Sequence, residues 1–443
     1  MAAADVRAFR ASILHFRDDP GAAAAADSHE YFEDGLLIVE DGRVVRVGPA
    51  EPLLPSLPRD TEVVDRRPAL ILPGFIDAHI HYSQTDVIAS AGRNVLHWLE
   101  QYTFPEEARF AEQAHALEVA EFFLDELIRH GTTTAMVFGT VHRASADAFF
   151  AAARRRNLRM VAGQVMMDRH CPERLRDTPE SVRRDVRELI ERWDGEGRLH
   201  YAITPRFAVT SSDAQLRLAG ELARTYPNAF VHSHLAEHLD EVAWVRRLFP
   251  ERRSYLDVYD HFGLLRERAI YAHCLHLDAD DRRRMAASGA AAAFCPTSNL
   301  FLGSGLFDIA AADAAGMPFA VATDVGGGTS FSMLRTLAEA YKVAQLQGQH
   351  LSALRGFYLA TLGGARALRL DERIGSFAPG READFIVLDP DATPLLARRM
   401  RAAKTLEERL FAWMILGDER AVSECYVLGQ PASTSAITAP RLD

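Results

Sequence analysis

Four histidines and an aspartate stand where apolar runs of the chain end: His79 and His81 in PGFIDAHIH, His234 in AFVHSHLAE, His273 in AIYAHC and Asp324 in PFAVATDVG. Neutral imidazole nitrogens joined by a carboxylate form a donor set suited to zinc or a similar divalent transition metal. Such an ion lowers the pKa of a bound water and supplies a hydroxide nucleophile near neutral pH. Residues i and i+2 of a strand face the same side, so His79 and His81 can point together. A lone buried histidine is more often a hydrogen-bonded core residue than a ligand, so the weight lies in the whole set. His232 shares a face with His234 but sits deeper in its run and is expected to hydrogen-bond inside the fold. His238 and His276 fall in loop or early helix and are read as non-ligands. Asp77, two residues below His79, reads equally as a partner of a ligand or as a buried structural carboxylate.

Elements of the right period surround these residues. Short apolar runs recur at 70–81, 132–139, 159–168, 200–207, 229–237, 269–274, 291–299 and 318–326, separated by amphipathic stretches such as AHALEVAEFFLDELIRHG (114–131), SVRRDVRELIERW (181–193) and DAQLRLAGELARTY (213–226). Apolar residues in the latter repeat at three- and four-residue spacing, as helices require. Eight buried strands alternating with helices predict an α/β fold, a (β/α)8 TIM-type barrel, whose active site sits at the C-terminal strand ends. The ligands then belong to strands one, five, six and eight, and strand eight closes the ring beside strand one. A doubly wound open sheet is the competing architecture, and it gives no reason for polar residues to end so many strands. At the N-terminus ILHF, GLLIVEDG and RVVRVGP alternate apolar and polar residues, and ADFIVLDP (383–390) and SECYVLGQ (423–430) match them near the C-terminus. Neither end has core enough alone, so both are expected to pair into one small β-sandwich domain. The expected division is 1–70 and 376–443 for that domain and 71–375 for the barrel.

Composition narrows the partners. The 443 residues are 48% hydrophobic and 25% charged, with a formal charge of −11, which argues against nucleic acid or an anionic membrane as the main partner. No uncharged run approaches the length of a bilayer span, MAAADVRAFRASILHF lacks a secretory pattern, and four scattered cysteines form no CxxC pair. A cytoplasmic, reducing location is expected. GGGTS (326–330) follows a strand but lacks the lysine of a phosphate-binding P-loop, and the absence of PCxxC excludes the zinc deaminases that carry that signature.

PGFIDAHIH, the strand-five and strand-six histidines, the strand-eight TD and the closing GSFAPGREADFIVLD together resemble the amidohydrolase superfamily in its mononuclear deaminase branch. The blocks HIHYSQ (79–84), HWLEQYTFPEEARF (97–110), TPRF (204–207), SHLAEHLDEV (233–242), CPTSNLFLGSG (295–305) and TDVGGGTSFSML (323–334) are similar to those of the guanine deaminases. That resemblance implies hydrolysis of guanine to xanthine and ammonia, one divalent metal per chain, most simply Zn2+, and a homodimer. Binuclear barrels of this kind use a carboxylated lysine at the end of strand four. HYAITPRF has none, and the chain's lysines, Lys342 and Lys404, lie elsewhere. Glu237, three positions past His234, can carry a proton to a ring nitrogen, or it is a helix N-terminal carboxylate stabilised by the dipole. The resemblance favours catalysis, and gives Asp324 the proton of the attacking water. Arg206 offers donors to the carbonyl of a 6-oxopurine, or an ion pair at the barrel rim. Phe207 stacks on the base or simply packs, and Gln84 reads a purine edge. Rival readings are an aminohydrolase acting on another purine, a pterin or a triazine, and a non-catalytic barrel scaffold. The aromatic-rich 82–110 segment is a candidate lid.

Overall fold

At Gly74 the chain crosses from one sheet to another, so the run 70–81 is two strands rather than one. A Cβ at Gly74 would lie 2.2 Å from Thr133 Oγ1, and only glycine allows the backbone through there. The computed structural model describes residues 5–21, 25–92 and 94–432. Before the crossing lie β1 (Val6–Phe16), β2 (His29–Glu40), β3 (Arg43–Pro49) and β4 (Glu62–Pro73). After it come β5 (Phe75–His81), β6 (Thr132–Phe138), β7 (Arg159–Gly163), its short continuation β8 (Val165–Met166), β9 (His200–Pro205), β10 (Phe230–Leu235), β11 (Ala269–His273), β12 (Ala291–Phe294) and β13 (Phe319–Val321). The C-terminal segment adds β14 (Phe385–Leu388), β15 (Val422–Val427) and β16 (Gln430–Pro431).

The parallel strands run in the order β5-β6-β7-β9-β10-β11-β12-β13, with β8 paired to β9. This is a nearly closed eight-stranded barrel. Its seam is bonded at the mouth, where the Asp324 N–H donates to the His79 carbonyl (2.9 Å) and the His81 N–H to the Val325 carbonyl (2.8 Å). The interior is filled by small and branched residues such as Ala78, Val161, Ala202, Ile270 and Ala293. Helices cover the outside. In Pro179–Trp193, Thr178 caps the N-terminus with Ser181 reciprocating, and Val182, Val186, Leu189, Ile190 and Trp193 form the buried face, the three- and four-residue spacing that turns one side of a helix to the core.

Both chain ends build the second sheet, in the order β16-β15-β14-β4-β1-β2-β3. It is paired along its whole width and curls so that its wings pack on each other. The Phe9 ring lies 4.8 Å from that of Phe385 and 5.1 Å from that of Tyr426, while the Val44 N–H reaches the Arg381 carbonyl at 2.8 Å. In this sheet β4 runs to Pro73, past the expected boundary at residue 70. A buried ion network ties the sheet to the barrel. Arg159 of β7 and Arg198 both bond Glu382, through Nε at 2.9 and 3.0 Å, and Arg198 also pairs with Asp384. Among the described residues no helix is long and apolar enough to cross a membrane.

Candidate active site

Strand ends bring the predicted donors together. The Nε2 atoms of His79 and His81 lie 3.0 Å apart and those of His81 and His234 3.3 Å apart. Asp324 Oδ1 lies 3.2 Å from His79 Nε2 and 3.4 Å from His81 Nε2, and its Oδ2 is 3.8 Å from His273 Nε2. Asp324 lies beyond β13 rather than on it, with φ +52°, and His273 ends β11 at φ +81°. Such left-handed geometry is costly for non-glycine residues and clusters at functional sites.

The partners on the far side of each ring orient it. His234 Nδ1 lies 2.7 Å from the Arg206 carbonyl and His273 Nδ1 2.9 Å from Asn299 Oδ1. An oxygen acceptor there calls for the proton on Nδ1 and leaves the Nε2 lone pair facing the cluster. His79 Nδ1 meets His232 Nε2 at 2.7 Å, so His232 does hydrogen-bond inside the barrel. Burial lowers the pKa of His79, His81 and His234, that of His81 to about 3. Burial alone would raise Asp324, but the charge and hydrogen bond of His79, with the hydrogen bond of His81, hold its carboxyl well below the usual range. Neutral imidazole lone pairs and a carboxylate converging within these distances fit a divalent cation. His276 bonds the Ser304 carbonyl and His238 caps the helix Leu239–Leu248, both apart from the cluster. Asp77 accepts from the backbone N–H of His79 (3.2 Å) and of Thr323 (3.1 Å), which ties strand one to strand eight below the donors.

A cavity of about 480 Å³, its mouth included, opens above them, walled by Gln84, Trp98, Arg206, Phe207, Glu237 and Leu302. Glu237 precedes its helix instead of starting it. Its Oε1 accepts from the Ser304 hydroxyl at 3.1 Å and its Oε2 lies 3.4 Å from His273 Nε2. Burial, helped by the negative charge of Asp324, raises its pKa to about 8. Arg206 is ion-paired, but deep in the wall rather than at the rim: its Nη1 bonds both oxygens of Glu107, at 2.9 and 2.7 Å. The Gln84 amide nitrogen reaches His81 Nδ1 (3.0 Å) and Glu107 Oε1 (3.3 Å), and its oxygen accepts from the Gly326 N–H (3.2 Å). Sequence reasoning missed Glu107, Asn299, Ser304 and Glu241. All four lie in blocks quoted for the family resemblance, yet nothing in their spacing singles them out.

Residues 70–431 match the amidohydrolase family. The chain belongs to this family. Metal-dependent hydrolysis is general to it. Among similar proteins, the guanine deaminase of Escherichia coli K12 is 49% identical over 413 residues, 93% of this chain and 94% of that one. A solved structure of E. coli guanine deaminase superposes with a TM-score of 0.95 at 47% identity, covering 97% of this chain and 99% of that one. A guanine deaminase from C. acetobutylicum with guanine bound in its active site superposes at 0.88 with 28% identity, covering 97% of this chain and all of that one, 100%. The amidohydrolase architecture thus accounts for the barrel, the two-ended sheet and the strand-end donors together.

Proposed function

We propose that the chain hydrolyses guanine to xanthine and ammonia. The observation that carries this reading is a buried carboxyl, Glu237, set beside four imidazoles and Asp324 at the floor of a cavity whose wall holds Arg206, Gln84 and Phe207. The relatives described above, guanine deaminases by name, support the same substrate. His79, His81, His234, His273 and Asp324 would hold one divalent ion, zinc by the nature of the donors. When bound, that ion lowers the pKa of a water molecule.

The chain's own groups do the rest. Phe207 packs on the flat base, and the Arg206 guanidinium donates to the 6-oxo group, where a 6-amino purine would present donors to donors. Gln84 reads an edge of the base from the same wall. Asp324, kept ionised, takes the proton lost by the water that adds at the amino-bearing carbon. Glu237, kept protonated by burial, delivers its proton to the adjacent ring nitrogen. The carbon–nitrogen bond then breaks, ammonia leaves with the proton that Asp324 had taken, and the proton of the added hydroxyl passes to Glu237 as the new oxo group forms, restoring both carboxyl groups.

The deciding experiment measures ammonia release from guanine, adenine, cytosine, a pterin and melamine, with metal analysis of the same sample. Guanine turnover well above the rest, at about one metal per chain, is expected. Activity on another amino-heterocycle with none on guanine would remove the substrate assignment and keep the chemistry. Four free cysteines support a reducing, cytoplasmic setting for this step of purine breakdown. The homodimer implied by the family resemblance is checked by sedimentation.

A further inference from the structure

Glu107 has no surface in the cavity, yet it touches two polar groups that do, Arg206 and Gln84. It is 0% exposed and Arg206 2%. Its carboxylate takes both bonds from Arg206 Nη1 and a third contact from the Gln84 amide nitrogen, which in turn meets His81. No acceptor among the described residues lies within bonding distance of Arg206 Nε or Nη2, and the guanidinium sits over the Phe104 ring at 5.4 Å. One end of the fork is therefore spent on Glu107 and the other is left to the cavity. A buried guanidinium without a counter-charge would be expensive and would attract any anion that fits.

We propose that Glu107 is a positioning and specificity residue: from behind the wall it neutralises Arg206 and aligns it with Gln84, so that the pocket offers donors to a neutral oxopurine without holding an anionic one. The proposal rests on the guanine reading and gives it a second half. Xanthine sheds a ring proton more readily than guanine, so a pocket carrying net positive charge would retain its own product. Selectivity of this kind comes from what a site withholds as much as from what it offers.

The test compares binding of two ligands that are not turned over, at mildly alkaline pH: xanthine, then an anion, and hypoxanthine, still neutral. Calorimetry on metal-replete protein gives the ratio of their affinities. In Glu107→Gln the ratio is expected to move toward xanthine by about tenfold or more, while KM for guanine rises more than kcat falls and metal content is unchanged. The double variant Glu107→Gln/Arg206→Gln should lose the shift, since the charge that caused it is gone. An unchanged ratio in folded Glu107→Gln overturns the proposal. Should that variant not fold, Glu107→Asp keeps the charge and shortens its reach. Its guanine KM is expected to rise about tenfold, and a parental KM would count decisively against the role. Because the ratio is read without turnover, a chain inert toward guanine would sink the substrate assignment while Glu107 is still decided on its own.

Discussion

Glu237 and Asp324 are two buried carboxyl groups that their neighbours drive apart. Burial, then the negative charge of Asp324, raises Glu237 to about 8 against the opposing pull of the Ser304 hydroxyl; Asp324 faces His79 and His81 and stays ionised. Paired groups pushed in opposite directions divide acid from base. Glu237→Gln should accordingly keep its metal and lose at least about 10²-fold in kcat, read by metal analysis beside ammonia release. His79→Ala removes a donor at the centre of the cluster and should abolish both metal and turnover. A metal-replete, active His79→Ala would refute the ligand assignment. The clustering of the four histidines and Asp324 was legible in the sequence because each stands at or just past the end of an apolar run and the strand period sets the direction of its side chain. Glu107 was not, since its partner Arg206 lies 99 positions away and its own segment has no single period.

At the level of elements, the junctions were harder to read than the strands. The run 70–81 looks continuous in hydropathy, and only Pro73-Gly74 hints that two sheets share it. The run 318–326 stops being a strand at Val321, because Asp324 must turn left-handed to face the histidines. Close approach between strands is equally invisible in composition. A Cβ at Gly163 would lie 1.9 Å from the Ala202 carbonyl oxygen, so Gly163→Ala forces β7 from β9 and should cost about 1–3 kcal/mol, seen as a lowered melting temperature. The turn after β10 is pinned by Glu241, which accepts from the Glu237 and His238 N–H groups and the Tyr255 hydroxyl. Burial, then the charge of Glu237, raises Glu241 from the usual 4.5 to about 7. Between those values the folded state holds a proton that the unfolded chain has released, so stability falls as pH rises through that window. Glu241→Gln should flatten the fall by about 1.4 kcal/mol per pH unit. Parallel urea curves for both proteins at the two ends of the window would contradict it.

On the scale of the whole molecule, the strand–helix alternation announced the barrel, and the matching β patterns at both ends announced the sheet that joins them. What joins sheet to barrel was not visible, because Arg159, Arg198, Glu382 and Asp384 are ordinary charged residues until the fold buries them. Glu382→Gln leaves buried Arg159 facing a neutral acceptor and Arg198 with Asp384 as its remaining charged partner, and is expected to cost about 3 kcal/mol, measured as a shift of the urea midpoint. A change within error would mean that water reaches the network. The sheet has one more consequence, which concerns synthesis. Residues 70–73 of β4 pair with β14, at residues 385–388, so that edge has no partner until nearly the whole barrel has been translated. At roughly 5–20 residues per second the wait is about 15–60 s. An apolar strand with an open edge is a template for other chains, so the hazard of aggregation for this protein belongs to the nascent chain, and the speed of the ribosome sets how long it lasts.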